Sequence, residues 1–329
     1  MTGSSAAKRR TWVAAALTVA AVATACVDQD PNATSGSPTS PIPPGAEQID
    51  FYKGDANDFQ SPTRMAVTGK GQMVVTDPRA RIVASVNPIT GLPDLAFRVA
   101  GKPTSAAVLK NRVFVGNADA GAVEEFDFNG HFRGTIGAGM IGYPQDVATD
   151  DVDRLVFVLD GYDRDVKLFE QDGSYLGTVV GPGFGATGLE TPVALAVDPA
   201  SQEVLVSDYG PDGGPAAIKR FSYSGEPIGM ISGAGRCGML GCSGGFSRPQ
   251  GIAVDPLSGY LLVADAVLGE VLVLDRAGGT VVATFGSRDD PSRPLRLPIG
   301  VGVGEDGEVY VVSNRAARVM RFESSEVPR

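Results

Sequence analysis

From about residue 47 to residue 323 the chain is a succession of short apolar runs separated by clusters of Gly, Pro, Asp and Asn. None of these runs keeps a helical period of 3.6, so the pattern predicts strands joined by turns. The segment after Arg248 shows the unit clearly. Gly251 to Val254 and Tyr260 to Ala264 flank the turn Asp255-Pro256-Leu257-Ser258-Gly259, where Pro and Gly suit the dihedrals a reversal needs. Val271 to Leu274 and Val281 to Phe285 then flank Arg276-Ala277-Gly278-Gly279. Strand, turn, strand, loop, strand, turn, strand is the reading.

That unit recurs. RPQGIAVDPLSGYLLVAD from Arg248 to Asp265 has counterparts in PTRMAVTGKGQMVVTD from Pro62, PTSAAVLKNRVFVGN from Pro103, PQDVATDDVDRLVFVLD from Pro144, PVALAVDPASQEVLVSD from Pro192 and PIGVGVGEDGEVYVVSN from Pro298. A repeat of about 40 to 50 residues is the length of a four-stranded propeller blade. The expected fold is therefore all-β, a six-bladed β-propeller occupying residues 47–323. Four positions after each proline stand Ala66, Ala107, Ala148, Ala196, Ala253 and Gly302. Small residues on one side of each inner strand would let neighbouring blades approach closely near the axis. The last copy ends after its third strand, Arg318 to Glu323, leaving residues 324–329 as a tail. Glu47-Gln48-Ile49-Asp50-Phe51-Tyr52 has an outer-strand pattern, and it is expected to close the ring as the fourth strand of the last blade.

PQGIAVD followed by LLVAD and a Phe-Gly ending resembles the NHL repeat, over about residues 47 to 323. That resemblance implies a six-bladed propeller. For function it implies a range: protein-binding sensor domains, RNA-binding modules and, in one branch, zinc-dependent amidating lyases.

The N-terminal segment belongs to a different regime. Residues 1–25 join a basic start (Lys8, Arg9, Arg10) to an apolar run from Trp12 to Ala23 and the ending Ala23-Thr24-Ala25. The run is shorter than the roughly 20 residues that span a bilayer, so a cleaved export signal is expected. Cys26 follows directly. Cys237 and Cys242 are close in a Gly-rich loop and could form a disulfide in an oxidising compartment, which leaves Cys26 as the odd one of three cysteines. An exported, membrane-anchored lipoprotein acylated at Cys26, in the periplasm or on the cell surface, is the expectation. Cleavage after Ala25 to give a soluble exported protein is the alternative. Residues 26–46 are polar and rich in Pro, Ser and Thr, and read as a disordered tether.

Formal charge is −10, and loss of the basic signal would make the mature chain more negative still. That balance disfavours nucleic acid as a partner. It leaves membrane contact to the lipid alone.

Catalytic chemistry finds little support in the residues. A zinc lyase needs several histidines and the chain has one, His131, in the turn Asn129-Gly130-His131. A gluconolactonase-like, metal-dependent hydrolase or lyase at the channel mouth is the alternative function. It would use the residues that follow each proline: Thr63-Arg64, Thr104-Ser105, Gln145-Asp146, Val193-Ala194, Gln250-Gly251 and Ile299-Gly300. Only Asp146 is acidic among them. One carboxylate facing Arg64 suggests an ion pair or a solvated polar ring more than a calcium site, which wants six to eight oxygens. Asp77, Asn117, Asp160, Asp208, Asp265 and Asn314 end the second strands, and their repetition marks them as caps of the following loops. No cofactor is expected.

The insertions are more informative. Gly181 to Thr191, Tyr209 to Ala217, Ser232 to Ser247 and Gly286 to Leu297 interrupt the repeat, and strand direction puts all four on one face around blades four to six. They bring Arg236, Arg248, Arg288, Arg293 and Arg296 together with Arg315 on a neighbouring loop, and Gln250 beside the axis. Tyr209 and Phe246 are possible aromatic anchors. The expected function is a non-catalytic recognition module, a single propeller that binds a protein or an acidic polymer through this face. Local pairing of the arginines with Asp212, Asp289 and Asp290 is the competing reading.

Overall fold

The computed structural model describes residues 59–68, 71–91, 93–211, 215–232, 236–238, 241–243, 245–277 and 279–328. Among them the chain forms β-strands and three short 3-10 turns, Gly185–Thr187, Asn314–Ala316 and Ser324–Glu326. No described helix is long and apolar enough to cross a membrane.

Six antiparallel sheets follow one another in sequence order. Blade one contains β1 (Met65–Val67), β2 (Met73–Asp77), β3 (Ile82–Val86) and β4 (Pro93–Arg98). Blade two contains β5 (Pro103–Leu109), β6 (Arg112–Asn117), β7 (Ala122–Asp127) and β8 (Phe132–Ile136). Blade three is β9 (Pro144–Asp150), β10 (Leu155–Asp160), β11 (Asp165–Glu170) and β12 (Tyr175–Val180). Blade four is β13 (Pro192–Asp198), β14 (Glu203–Asp208), β15 (Ala217–Ser222) and β16 (Pro227–Ile231). A small hairpin of β17 (Arg236–Gly238) and β18 (Gly241–Ser243) precedes blade five, which is β19 (Pro249–Val254), β20 (Leu261–Asp265), β21 (Glu270–Leu274) and β22 (Val281–Phe285). Blade six shows three described strands: β23 (Pro298–Val303), β24 (Val309–Ser313) and β25 (Arg318–Phe322).

Burial explains the strand order. Second strands such as β2, β14, β20 and β24 are buried at every position, because a sheet packs on both of their faces. Fourth strands β8 and β22 alternate between partly buried and exposed until their last residue, as expected at a rim facing water.

Six apolar cores lie between successive sheets. Val83, Phe97, Val113 and Phe126 fill the gap between blades one and two, and Phe114, Ile136, Val147 and Phe169 that between two and three. The last core joins Tyr310, Val312 and Val319 of blade six to Met73, Val75 and Ala84 of blade one, with Phe59 inserted between them. The inner strands β1, β5, β9, β13, β19 and β23 neighbour one another in that order and return to β1. These contacts close the ring into a six-bladed propeller.

The small residues of the inner strands have a steric cause. A Cβ on Gly302 would sit 2.6 Å from the Val67 side chain, and one on Gly300 would sit 2.7 Å from the Thr63 carbonyl oxygen. Side chains at either position would push blades six and one apart.

The segment Glu47 to Tyr52, expected to close blade six, lies outside the described residues. At the edge it would pair, the Val319 N–H donates to the Gly91 carbonyl of blade one at 3.0 Å. Of the C-terminal segment, Val327 is buried against Phe322 and Leu295.

Candidate functional site

Antiparallel order puts the connections between second and third strands, and those leading into each inner strand, on one face, called the entry face below. The other turns lie on the opposite face. Every insertion named from the sequence opens on the entry face.

At the centre of that face the axis is closed by one side chain. Arg64, just before β1, reaches across the hub. Its Nη1 donates to the carbonyl of Gln250 at 2.6 Å and also to that of Ile299, while Nη2 donates to that of Val193. Its Nε lies 3.4 Å from Asp146 Oδ2. Blades one, three, four, five and six thus meet on a single guanidinium. Asp146 also accepts the N–H of Val147 at 3.0 Å and that of Leu195 at 2.9 Å. Arg64 is 8% exposed and Asp146 6%, so this is a buried pair. Burial pushes the Asp146 carboxyl up, against the pull of Arg64 and the two amides. Below the pair is a cavity of about 40 Å³, lined by Val147, Leu195, Ile252 and Val301 among others. It has room for about one water.

A belt of hydroxyls extends the seal. Thr63 Oγ1 donates to the Thr104 carbonyl at 3.3 Å, Thr104 Oγ1 to the Pro144 carbonyl, and Ser207 Oγ to the Pro249 carbonyl at 2.6 Å. Asn314 Nδ2 crosses the closing seam to the Pro62 carbonyl at 2.9 Å.

The carboxylates that end the second strands are staples. Asp160 accepts the amides of Tyr162 and Asp163 in the turn that follows it, and those of Gly142 and Tyr143 in the loop before the blade. Asp77 and Asp265 do the same. In blade six the register differs from the expectation: Pro298 faces Ser313, so Ser313 holds the position and Asn314 follows it. The Ser313 hydroxyl accepts the Arg296 amide at 2.9 Å and donates to the Pro294 carbonyl at 2.7 Å.

Two buried lysines add to these staples, and the sequence reading passed over them. Lys167 Nζ sits among Asp160, Asp163 and Asp165 at 3.0, 2.7 and 2.7 Å, taking the central place between three carboxylates close enough to hold a metal. Lys219 Nζ donates to the Gly188 carbonyl at 2.7 Å and meets Glu190 and Asp208 at 3.1 and 3.3 Å, fixing the Gly181 to Thr191 insertion. The spacing Asp-x-x-Asp-x-Asp-x-Lys was a visible signal for the first cluster.

The arginines of the entry face divide. Arg293 pairs with Glu326 at 2.8 Å and Asp290 at 3.9 Å, and lies 4.5 Å over the Phe322 ring. Arg288 Nη2 donates to the Val267 carbonyl at 2.6 Å. The side chains of Arg248, Arg296 and Arg315 are exposed and make no ion pair among the described residues. Arg296 and Arg315 are adjacent, because the Arg315 amide donates to the Arg296 carbonyl at 3.0 Å. The Arg236 side chain and Asp212 lie outside the described residues, as does Cys26. The hairpin register places Cys237 directly opposite Cys242.

The aromatic anchors differ from expectation. Phe246 is 8% exposed and Tyr209 7%, both in the core between blades four and five with Ala216 and Ile252. A bridge between Ala216 and Phe246 folds the loop inward. Arg248 stacks over the Tyr209 ring, 4.8 Å from its centroid. Gln250, half-buried, contributes its carbonyl to Arg64.

The opposite face is mainly acidic. Its turns expose Asp151, Asp153, Asp172, Glu226, Glu305 and Asp306, against Lys110 and Arg154. His131 is also there, with Nδ1 3.0 Å from Asp127 Oδ2. A hollow of about 210 Å³ beside β16 is lined by Ile228, Met230, Arg220 and Arg276, and both arginines already pair with Glu203.

No family model and no curated protein sequence matches the chain. Solved structures do. A hydrazine synthase chain of Kuenenia stuttgartiensis is similar with a TM-score of 0.60 and 13% identity, covering 82% of this chain and 97% of that one. A chain of a nidogen/laminin complex gives 0.57 and 17%, covering 81% and 90%. A Bacteroides thetaiotaomicron protein of unknown function gives 0.63 and 16%, covering 84% and 72%. At such identities the likeness concerns the fold.

Proposed function

We propose that the chain is a non-catalytic recognition module, an NHL-type propeller exported to the cell envelope and tethered there through Cys26, which captures an acidic partner with its entry face. The observation that carries this reading is the division of charge. Arg248, Arg296 and Arg315 stand exposed without ion-pair partners among the described residues, on the face opposite Asp172, Glu226 and Asp306. A molecule of formal charge −10 with such a face orients an acidic partner toward it and repels that partner elsewhere.

The hub supports the same reading. A hydrolase at the channel mouth needs a free carboxylate there, and the Asp146 carboxylate is committed to Arg64 and two amides. Similar folds occur in a hydrazine synthase and in a nidogen/laminin complex, so architecture alone does not choose between chemistry and binding.

The test is capture from envelope extracts. Arg248, Arg296 and Arg315 reversed together to Glu should lose the species that co-purifies with the wild-type protein, while circular dichroism shows the variant still folded at the assay temperature. Retention of that species by the triple variant would remove this face from consideration. For the anchor, a fatty-acid label should enter the protein and be lost in Cys26→Ala.

A further inference from the structure

In the ring of residues that follow the second-strand staples, Pro78, Ala118, Gly161 and Ala266 are small and blade six has Asn314, whereas blade four places Tyr209 there. Its hydroxyl is buried and its proton has no acceptor among the described residues, although the Arg248 guanidinium bears on the oxygen. A buried donor without an acceptor carries a desolvation cost, and Phe would fill the same space without it. Directly over the ring is Arg248, exposed and without an ion-pair partner. A phenol donor kept without an acceptor, under an arginine kept without an anion, is the arrangement that a carboxylate completes.

We propose that Tyr209 and Arg248 form a two-point receptor for a carboxylate on an acidic protein segment, Arg248 swinging from the ring to pair with one oxygen while the uncovered Tyr209 hydroxyl donates to the other. This rests on the reading of the entry face given above and deepens it to a ligand chemistry. No proton is transferred and no bond is made. Burial, with a smaller push from the Asp265 carboxylate, raises the Tyr209 phenol against the bond and charge of Arg248 and the charge of Arg64, so it remains a donor at neutral pH. Arg248 and Arg64 thus set two positive charges against the one negative charge of Asp265 around the hydroxyl.

An extended segment fits better than a small molecule. The cavity beneath the mouth is about 40 Å³, whereas enclosed small-molecule sites take roughly 300 to 1,000 Å³. Arg296 and Arg315, next to each other on the following blade, supply further positive charge for neighbouring carboxylates on the same chain.

Fluorescence anisotropy with labelled hexaglutamate tests this on the mature protein, with hexaglutamine and inorganic phosphate as comparisons. Hexaglutamate should bind and hexaglutamine should not. Tyr209→Phe should weaken binding at least tenfold while leaving the thermal midpoint equal to or above wild type, and Arg248→Ala should weaken it at least as much. Wild-type affinity in Tyr209→Phe would overturn the receptor, as would a lowered midpoint in that variant, which would reveal a structural bond to the hydroxyl. Equal competition by phosphate at matched concentration would also overturn it, showing a general anion site. Failure of hexaglutamate to bind wild type sinks this receptor only, because the capture experiment decides the broader reading independently.

Discussion

Replacing Arg64 by Met removes a cation on which five blades meet, while keeping much of the side chain's apolar length. The guanidinium makes three bonds to the carbonyls of Val193, Gln250 and Ile299, and it is the charge partner of Asp146. Breaking a buried ion pair from one side costs about 3 to 5 kcal/mol, because the remaining charge is left uncompensated. Three lost carbonyl partners push the cost toward the upper end of that range. For a domain of this size about 1 kcal/mol moves the thermal midpoint by roughly 2 to 4 °C, so a fall on the order of 10 °C is expected. The effect has a pH signature. Burial already raises the Asp146 carboxyl, and without Arg64 it rises further, so the folded variant binds a proton more readily than the unfolded chain. Its stability is therefore greatest at acid pH and declines as pH rises through the folded pKa, which widens the deficit toward neutrality. Arg64→Met combined with Asp146→Asn should recover part of the loss, since the second change removes the stranded charge. Urea unfolding of wild type, both singles and the double measures the coupling. A cost below about 1 kcal/mol for Arg64→Met, or a double variant no more stable than that single, would refute this account of the hub.

Lys167→Met should destabilise by about 3 to 5 kcal/mol at neutral pH, leaving Asp160, Asp163 and Asp165 facing one another. The deficit should shrink as acid protonates them, and chemical denaturation at two pH values checks both points. Ala253→Leu, on the inner strand of blade five beside the core of blades five and six, should overpack it at about 1 to 3 kcal/mol, read from the same unfolding curves. Asp127 is held down to about 2: burial opposes this, but bonds from His131, Arg133 and the Asn129 amide outweigh it. Its contribution should be complete above about pH 4 and lost as pH falls toward 2, a small step that Asp127→Ala removes from an acid titration of stability. Alkylation of the non-reduced, unfolded mature protein should leave Cys237 and Cys242 unmodified if they are joined, and reduction should make both reactive.

Most of the fold was legible because a propeller writes each element six times. The prolines and the small inner-strand residues keep one offset in every copy, and the polar residue that ends each second strand follows at nearly the same distance, so one error in one copy does not move the rest. What pairwise reading could not show is what the ring brings together. Arg64 reaches acceptors 129, 186 and 235 residues away, and no local pattern encodes a side chain spanning the axis. The single acid and single base near the hub did point to a pair, and the structure adds that carbonyls of three further blades complete it. Tyr209 and Phe246 read as aromatic anchors because they sit in insertions, whereas the Ala216 to Phe246 bridge turns that loop into the core. Asn314 aligned by sequence with the terminal Asp residues, but the turn between Val303 and Val309 in blade six is one residue shorter than that between Val254 and Leu261 in blade five, which gives the position to Ser313. The arginines looked like one patch, and only side-chain positions separate Arg293, tied to Glu326, from Arg296 and Arg315.

Recognition through the entry face is tested most directly by photo-crosslinking in the intact cell envelope. A benzophenone amino acid placed singly at Arg296, Arg315, Asp172 or Asp306 samples both faces of the same propeller. Adducts to one shared partner from the first two positions, and none from the last two, are the expected result. Adducts formed only from Asp172 and Asp306, or from no position at all, would contradict it.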